Sequence, residues 1–185
     1  MAKNFRLYTK EELNIGKTIL LDEEQTHYLK NVVKYTINDD ILCFDNQNGE
    51  FLCKITNISK KTTQISVQSK TKDYVSCPDI WLLFAPLKKD KTDFVIEKAT
   101  ELGVKKIIPT ITRYTITNNI KTERYIAQSI EASEQCRRTD LPEISSAKSL
   151  QDILSNWDTS RTLFFMDETL QSKPFIEQLK NTKTS

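Results

Sequence analysis

The sequence predicts an α/β protein with an N-terminal β-barrel, and three stretches carry that expectation. Residues 80–87 are a continuous apolar run, short enough for a strand buried on both faces. Residues 90–102 follow with helical periodicity and 104–108 return to strand, so the segment reads as one βαβ unit with a parallel sheet and a right-handed crossover. Residues 1–72 read as several short strands plus one helix, the pattern of a small barrel. A barrel domain over 1–73 and an α/β domain over 79–185 follow, with the linker near 71–78.

In the first part, residues 17–21 suggest a short strand and 22–34 a short amphipathic helix containing His27. Residues 40–45 and 50–55 flank Asn46-Gln47-Asn48-Gly49, a hairpin turn with a glycine in place. Residues 63–68 alternate as a further strand. His27 is the sole histidine. Its expected role is to touch RNA or brace the barrel, not to serve as a general base.

In the second part, Pro86 and the Lys88–Lys89 pair close the first strand, and Asp90 is the expected N-cap of the helix. Phe94, Val95, Ile96, Ala99 and Leu102 form its apolar side, Gly103 suits its C-terminal stop, and Pro109 limits pairing of the next strand. Residues 113–122 read as a loop or lid. Residues 123–138 predict a helix with Ile126, Ile130, Ser133 and Cys136 near one face. Residues 150–154 predict a short helix, 161–166 a buried strand, and 174–179 a last amphipathic piece.

Lys88, Lys89 and Lys91 fall at a strand's carboxyl end beside a helix N-terminus, where open α/β sheets bind ligands. Cations at a positive dipole end suit a polyanion such as an RNA backbone; the competing reading is three solvated loop lysines. Glu134 and Arg138, four apart on one helix, read from the residues alone as a surface ion pair worth ~0.3–0.5 kcal/mol. Arg6 reads as a phosphate contact or an ordinary ion pair.

Composition excludes several classes. With 38% hydrophobic and 28% charged residues the 185-residue chain reads as soluble and globular, and its net charge of +2 does not itself argue for nucleic acid. Cys43, Cys53, Cys77 and Cys136 show no paired spacing, so zinc and a disulfide framework are not expected and reduced, buried thiols in the cytoplasm are. No run approaches membrane-spanning length. There are only three glycines and no glycine-rich phosphate or dinucleotide motif.

Lys88-Lys89-Asp90-Lys91, leading into Glu97-Lys98-Ala99-Thr100-Glu101-Leu102-Gly103-Val104 and Ile107-Ile108-Pro109, resembles the ribosomal RNA small subunit methyltransferase E family. Further matching segments are Phe5-Arg6-Leu7-Tyr8, the run from His27 to Val33, and Glu131-Ala132-Ser133-Glu134-Gln135-Cys136-Arg137-Arg138 with Leu141-Pro142. The resemblance implies a PUA-like barrel ahead of a knotted SPOUT methyltransferase domain. It implies methylation of uridine N3 in 16S rRNA of the small ribosomal subunit, with S-adenosylmethionine as donor, no metal, and a homodimer. On it, Arg138 and Lys91 are the candidate catalytic charges, and Glu168 and Gln135 neighbour the cofactor. Arg6, Lys30, Lys34, Lys88 and Lys89 are the candidate RNA contacts. The chain departs from the family at Lys34, where an arginine is usual, and at Asn38, where a glycine is usual. The family's glycine-rich donor loop finds no counterpart before Ser185, so the methyltransferase domain reads as C-terminally truncated and dimerisation as doubtful. The other readings are a non-catalytic RNA-binding module and a decayed gene product with an unpaired sheet edge.

Overall fold

The computed structural model describes residues 5–116, 120–167, 169 and 171–181. It divides into two compact units, 1–150 and 151–185.

The first unit holds two sheets. Strands β1 (Arg6–Tyr8), β2 (Thr18–Leu21), β3 (Asp40–Phe44), β4 (Glu50–Ile58) and β5 (Thr63–Lys72) form one sheet in the order β1-β3-β4-β5-β2. β1 pairs β3 in parallel, and the other pairs are antiparallel. Alternation sets the buried face: Ile41 and Cys43, then Phe51, Cys53 and Ile55, then Ile65 and Val67 enter one core. The expected barrel is not closed. β1 and β2, of three and four residues, end the sheet on opposite sides and do not pair with each other.

The expected helix over 22–34 is two pieces. Helix α1 (Glu23–His27) is capped by Asp22, whose carboxylate accepts from the Gln25 amide at 2.8 Å while the Gln25 side chain accepts from the Asp22 amide. A π-helical turn, Tyr28–Val33, then ends on Lys34 at φ 58°. Asn38 sits at φ 75°, the left-handed conformation that a glycine takes without strain and asparagine tolerates.

The second sheet is parallel. Strand β6 (Trp81–Phe84) leads through helix α2 (Lys89–Glu101) to the central β7 (Lys106–Ile111). Helix α3 (Thr122–Cys136) then leads to the short strands β8 (Glu143–Ile144) and β9 (Lys148–Ser149). β6 is shorter than the apolar run and only half-buried, because among the described residues it pairs β7 alone. β7 starts later than expected and runs through Pro109. On its far side Lys106 and Ile107 pair β8, and Thr110 and Ile111 pair β9. Pro109 falls in the gap between those ladders, where its missing N–H forfeits no bond.

The N-cap of α2 is Lys88, not Asp90. Thr92, inside the helix, closes its entrance: its hydroxyl accepts from the Leu87 amide at 2.8 Å and donates to the Leu87 carbonyl at 3.0 Å. α3 buries Tyr125, Ser129, Ala132 and Ser133, whereas Ile126 and Cys136 are exposed. The buried face tolerates serine because Ser129 and Ser133 donate back to the Ile126 and Ser129 carbonyls at 2.8 Å. Their small size lets α3 pack against α2 and touch β1.

The second unit contains α4 (Leu150–Ser155), whose first residue ends the first unit, and α5 (Phe175–Asn181). The buried strand expected over 161–166 is not formed. That segment has no regular secondary structure and no ladder partner among the described residues, and Phe165 is 85% exposed. A strand buries its backbone polar groups only through a neighbour, so the apolar run alone does not make one. No helix among the described residues is long and apolar enough to cross a membrane.

Candidate functional site

Parallel pairing brings the carboxyl ends of β6 and β7 side by side, with Phe84 opposite Pro109. Lys88, Lys89 and Lys91 leave the β6 end into the first turn of α2, and all three are exposed. The Thr92–Leu87 hydrogen bonds hold that loop, and Arg124 of α3 pairs with Asp93 of α2, tying the two helix starts together. Arg113 and Tyr114 leave the β7 end. The Arg113 guanidinium lies 5.5 Å from the centroid of the Tyr114 ring, and both residues are exposed. Cations and the positive ends of two long helices therefore share one edge of the sheet, an arrangement that attracts phosphate.

Arg113 was not among the sequence candidates. The signal lay in the chain: it follows the second strand of a βαβ unit, as Lys88 follows the first.

Arg6, an expected RNA contact, is turned into the fold. It is 4% exposed, and each of its three guanidinium nitrogens donates within the fold. It pairs with the carboxylate of Glu50, lies 4.0 Å over the Phe44 ring, and donates to the Ser133 and Arg138 carbonyls at 2.7 Å each. Those carbonyls belong to the end of α3 and the turn beyond it, where backbone acceptors lack helical partners. An arginine of the first sheet thus caps a helix packed on the second. Nearby, the Tyr8 amide donates to Glu134 at 2.9 Å, the Leu141 amide to Asn46 at 2.6 Å, and Lys72 to the Arg137 carbonyl at 3.2 Å. Glu134 is mostly buried, and desolvation raises its carboxyl to about 7 against the lowering pull of the Tyr8 amide and of Arg6.

Arg138 is likewise structural. α3 ends at Cys136, Arg137 turns to φ 63°, and the expected Glu134–Arg138 pair is replaced. Arg138 binds both oxygens of Asp140, at 2.9 and 3.1 Å, and donates to the Thr100 carbonyl at 2.6 Å and the Val104 carbonyl at 3.3 Å. It brackets the turn from α2 into β7, at the amino end of β7, whereas Lys88, Lys89 and Lys91 follow the carboxyl end of β6. Burial alone would raise the Asp140 carboxyl; its bonds to Arg138 and to the Cys77 amide hold it below the usual range.

Gln135 is exposed on α3. Lys30 and Lys34 are exposed on the first sheet's π-helical turn and its end, where Lys30 reaches the Ser59 carbonyl at 3.5 Å. His27 is exposed at the end of α1. Glu168 lies outside the described residues. Among the described residues no group of acids, histidines and cysteines is placed to hold a metal.

The residues present do not fit S-adenosylmethionine at this edge. A pocket for adenosine needs close backbone approach, which glycine supplies. Gly16 precedes β2, Gly49 lies in the β3–β4 hairpin, and Gly103 precedes β7 at the end opposite to the lysines.

Known proteins resemble this chain in sequence and in fold. An RNA methyltransferase domain model matches residues 75–185, and an RNA methyltransferase PUA domain model matches 21–68. The chain is 34% identical over 150 residues to ribosomal RNA small subunit methyltransferase E of Rickettsia conorii, covering 80% of this chain and 62% of that one. The protein of the same name from Buchnera aphidicola of Acyrthosiphon pisum is 30% identical, with 95% and 73% covered. The crystal structure of ribosomal RNA small subunit methyltransferase E from Neisseria gonorrhoeae bound to S-adenosyl methionine superposes with a TM-score of 0.76 at 26% identity, over 84% of this chain and 66% of that one. The chain thus spans under two thirds of the Rickettsia relative. With a βαβ unit, basic strand ends and a domain model matched across both, the chain belongs to the RNA methyltransferase family.

Proposed function

We propose that this protein serves the methylation of uridine N3 in 16S rRNA of the small ribosomal subunit, with S-adenosylmethionine as methyl donor. The observation that carries the reading is the RNA methyltransferase match over a βαβ unit whose strand ends expose Lys88, Lys89 and Lys91. The same reading divides the chain into an RNA-binding part, 1–73, and a SPOUT-class methyl-transfer part, 79–185, working in the cytoplasm.

Uridine N3 carries a proton, so its lone pair becomes available only as that proton leaves to solvent. Fixed positive charge beside the base favours the resulting anion. Lys91 and Arg113, at the ends of adjacent strands, supply such charge; Lys88 and Lys89 hold the flanking phosphates, and Lys30 and Lys34 a more distant stretch of backbone. The donor contributes an electrophilic methyl group. The three glycines lie away from the edge where these cations gather.

That mismatch favours one second reading, an RNA-binding protein without methyl transfer. One experiment separates them. Removing the gene from its own cell and digesting the small-subunit rRNA should abolish N3-methyluridine by mass spectrometry. An undiminished N3-methyluridine signal would reject methylation and leave RNA binding.

A further inference from the structure

We infer that Arg113 and Tyr114 form a stacking ledge for an unpaired RNA base at the β7 strand end. The inference rests on the proposed RNA substrate and assigns it a single-stranded element. Tyr114 is 82% exposed, yet its backbone is held. The Thr112 amide donates to the Thr115 hydroxyl at 2.7 Å, and the Thr115 amide to the Thr112 carbonyl at 3.2 Å. That turn fixes residues 113 and 114 at its tip and presents the ring outward. Arg113 stands over one side of the ring at 5.5 Å, and the high exposure leaves the rest open. An aromatic face backed by a guanidinium is the surface on which unpaired bases stack, by π contact and by cation–π attraction.

The surroundings select the occupant. β6 and β7 are parallel and in register, so the ledge leaves the sheet beside Lys88, Lys89 and Lys91. A base on Tyr114 would place its own phosphates toward those lysines. Paired bases in an A-form duplex keep their faces covered, so the ledge would discriminate for loops and single strands.

The test is fluorescence-anisotropy binding of a single-stranded RNA oligonucleotide and of a duplex of equal length, across a salt series. Tyr114→Ala should weaken single-strand binding on the order of tenfold while leaving the salt slope unchanged, because no charge is removed. Tyr114→Phe should bind like wild type, and the duplex should lose little in either variant. Tyr114→Trp should show fluorescence quenched by the single strand beyond the signal from Trp81 and Trp157. Unchanged single-strand affinity in Tyr114→Ala, or equal loss on the duplex, would overturn the ledge while salt-dependent RNA binding by wild type still stood. A Tyr114→Trp emission that shifts with protein concentration in the absence of RNA would assign the ring to contact between copies of the chain and would also overturn it. Failure of wild type to bind RNA at all would remove the proposed function together with the ledge.

Discussion

Glu134→Gln should remove a pH dependence from the stability of this protein. The carboxyl is mostly buried where α3 meets β1, and desolvation raises it from 4.5 to about 7. A carboxyl whose folded value is raised binds its proton more tightly folded than unfolded. It therefore opposes folding once it must ionise: nothing is lost below 4.5, stability falls as pH rises from 4.5 to about 7, and the loss is complete above that. The gap, at about 1.36 kcal/mol per pH unit, gives an upper figure of roughly 3 kcal/mol. Partial solvent contact brings it to about 2 kcal/mol. Glutamine keeps the oxygen that accepts from the Tyr8 amide and cannot ionise. Urea unfolding from pH 4 to 8.5 should show wild type and variant equal near pH 4, with the variant about 2 kcal/mol more stable at pH 8. In thermal scans that is ~4–8 °C for a chain of this size. Asp45 and Asp140 act in the opposite sense: their lowered carboxyls contribute stability that disappears as pH falls through their folded values, below the Glu134 window. Stability profiles that stay parallel between pH 5 and 8 would refute the burial argument for Glu134.

Arg6→Ala strands the buried Glu50 carboxylate and uncaps the end of α3, and urea unfolding should show a loss of about 3–5 kcal/mol. Arg138→Ala breaks the Asp140 pair and the bonds to the α2–β7 turn, so its melting temperature should drop several degrees while RNA affinity, measured below that melt, stays near wild type. With glycine absent from the strand-end edge, calorimetry on residues 1–185 should find weak S-adenosylmethionine binding or none; tight binding would show that the donor seats without glycine.

What was legible in the sequence was mostly local. The βαβ unit, the hairpin at Asn46 to Gly49 and the basic strand end announce themselves through periodicity and turn chemistry within a few residues. The partners of Arg6 and Arg138 were not legible, because they are distant or unexpected. Arg6 meets Glu50, Ser133 and the Arg138 carbonyl, 44, 127 and 132 positions away, and no pattern along the chain links them. Arg138 looked like the second half of a helical ion pair, but α3 stops two residues earlier and the left-handed Arg137 redirects it to Asp140. Residues 161–166 show the same limit: an apolar run signals burial only where a neighbouring strand receives it. At Asn38 the backbone explains the family's usual glycine directly, since φ is 75° there.

The most direct measurement of the account is the salt dependence of small-subunit rRNA binding by wild type and by a variant carrying Lys88→Ala, Lys89→Ala and Lys91→Ala. All three lysines are exposed, so the variant should fold, which its melting curve would verify. If they contact RNA phosphates, the slope of log K against log salt should fall by roughly 0.7 per lost contact, about 2 in all, with weaker binding across RNA sequences. An unchanged slope in the folded variant would leave the strand-end lysines as ordinary solvated charges and contradict the interface.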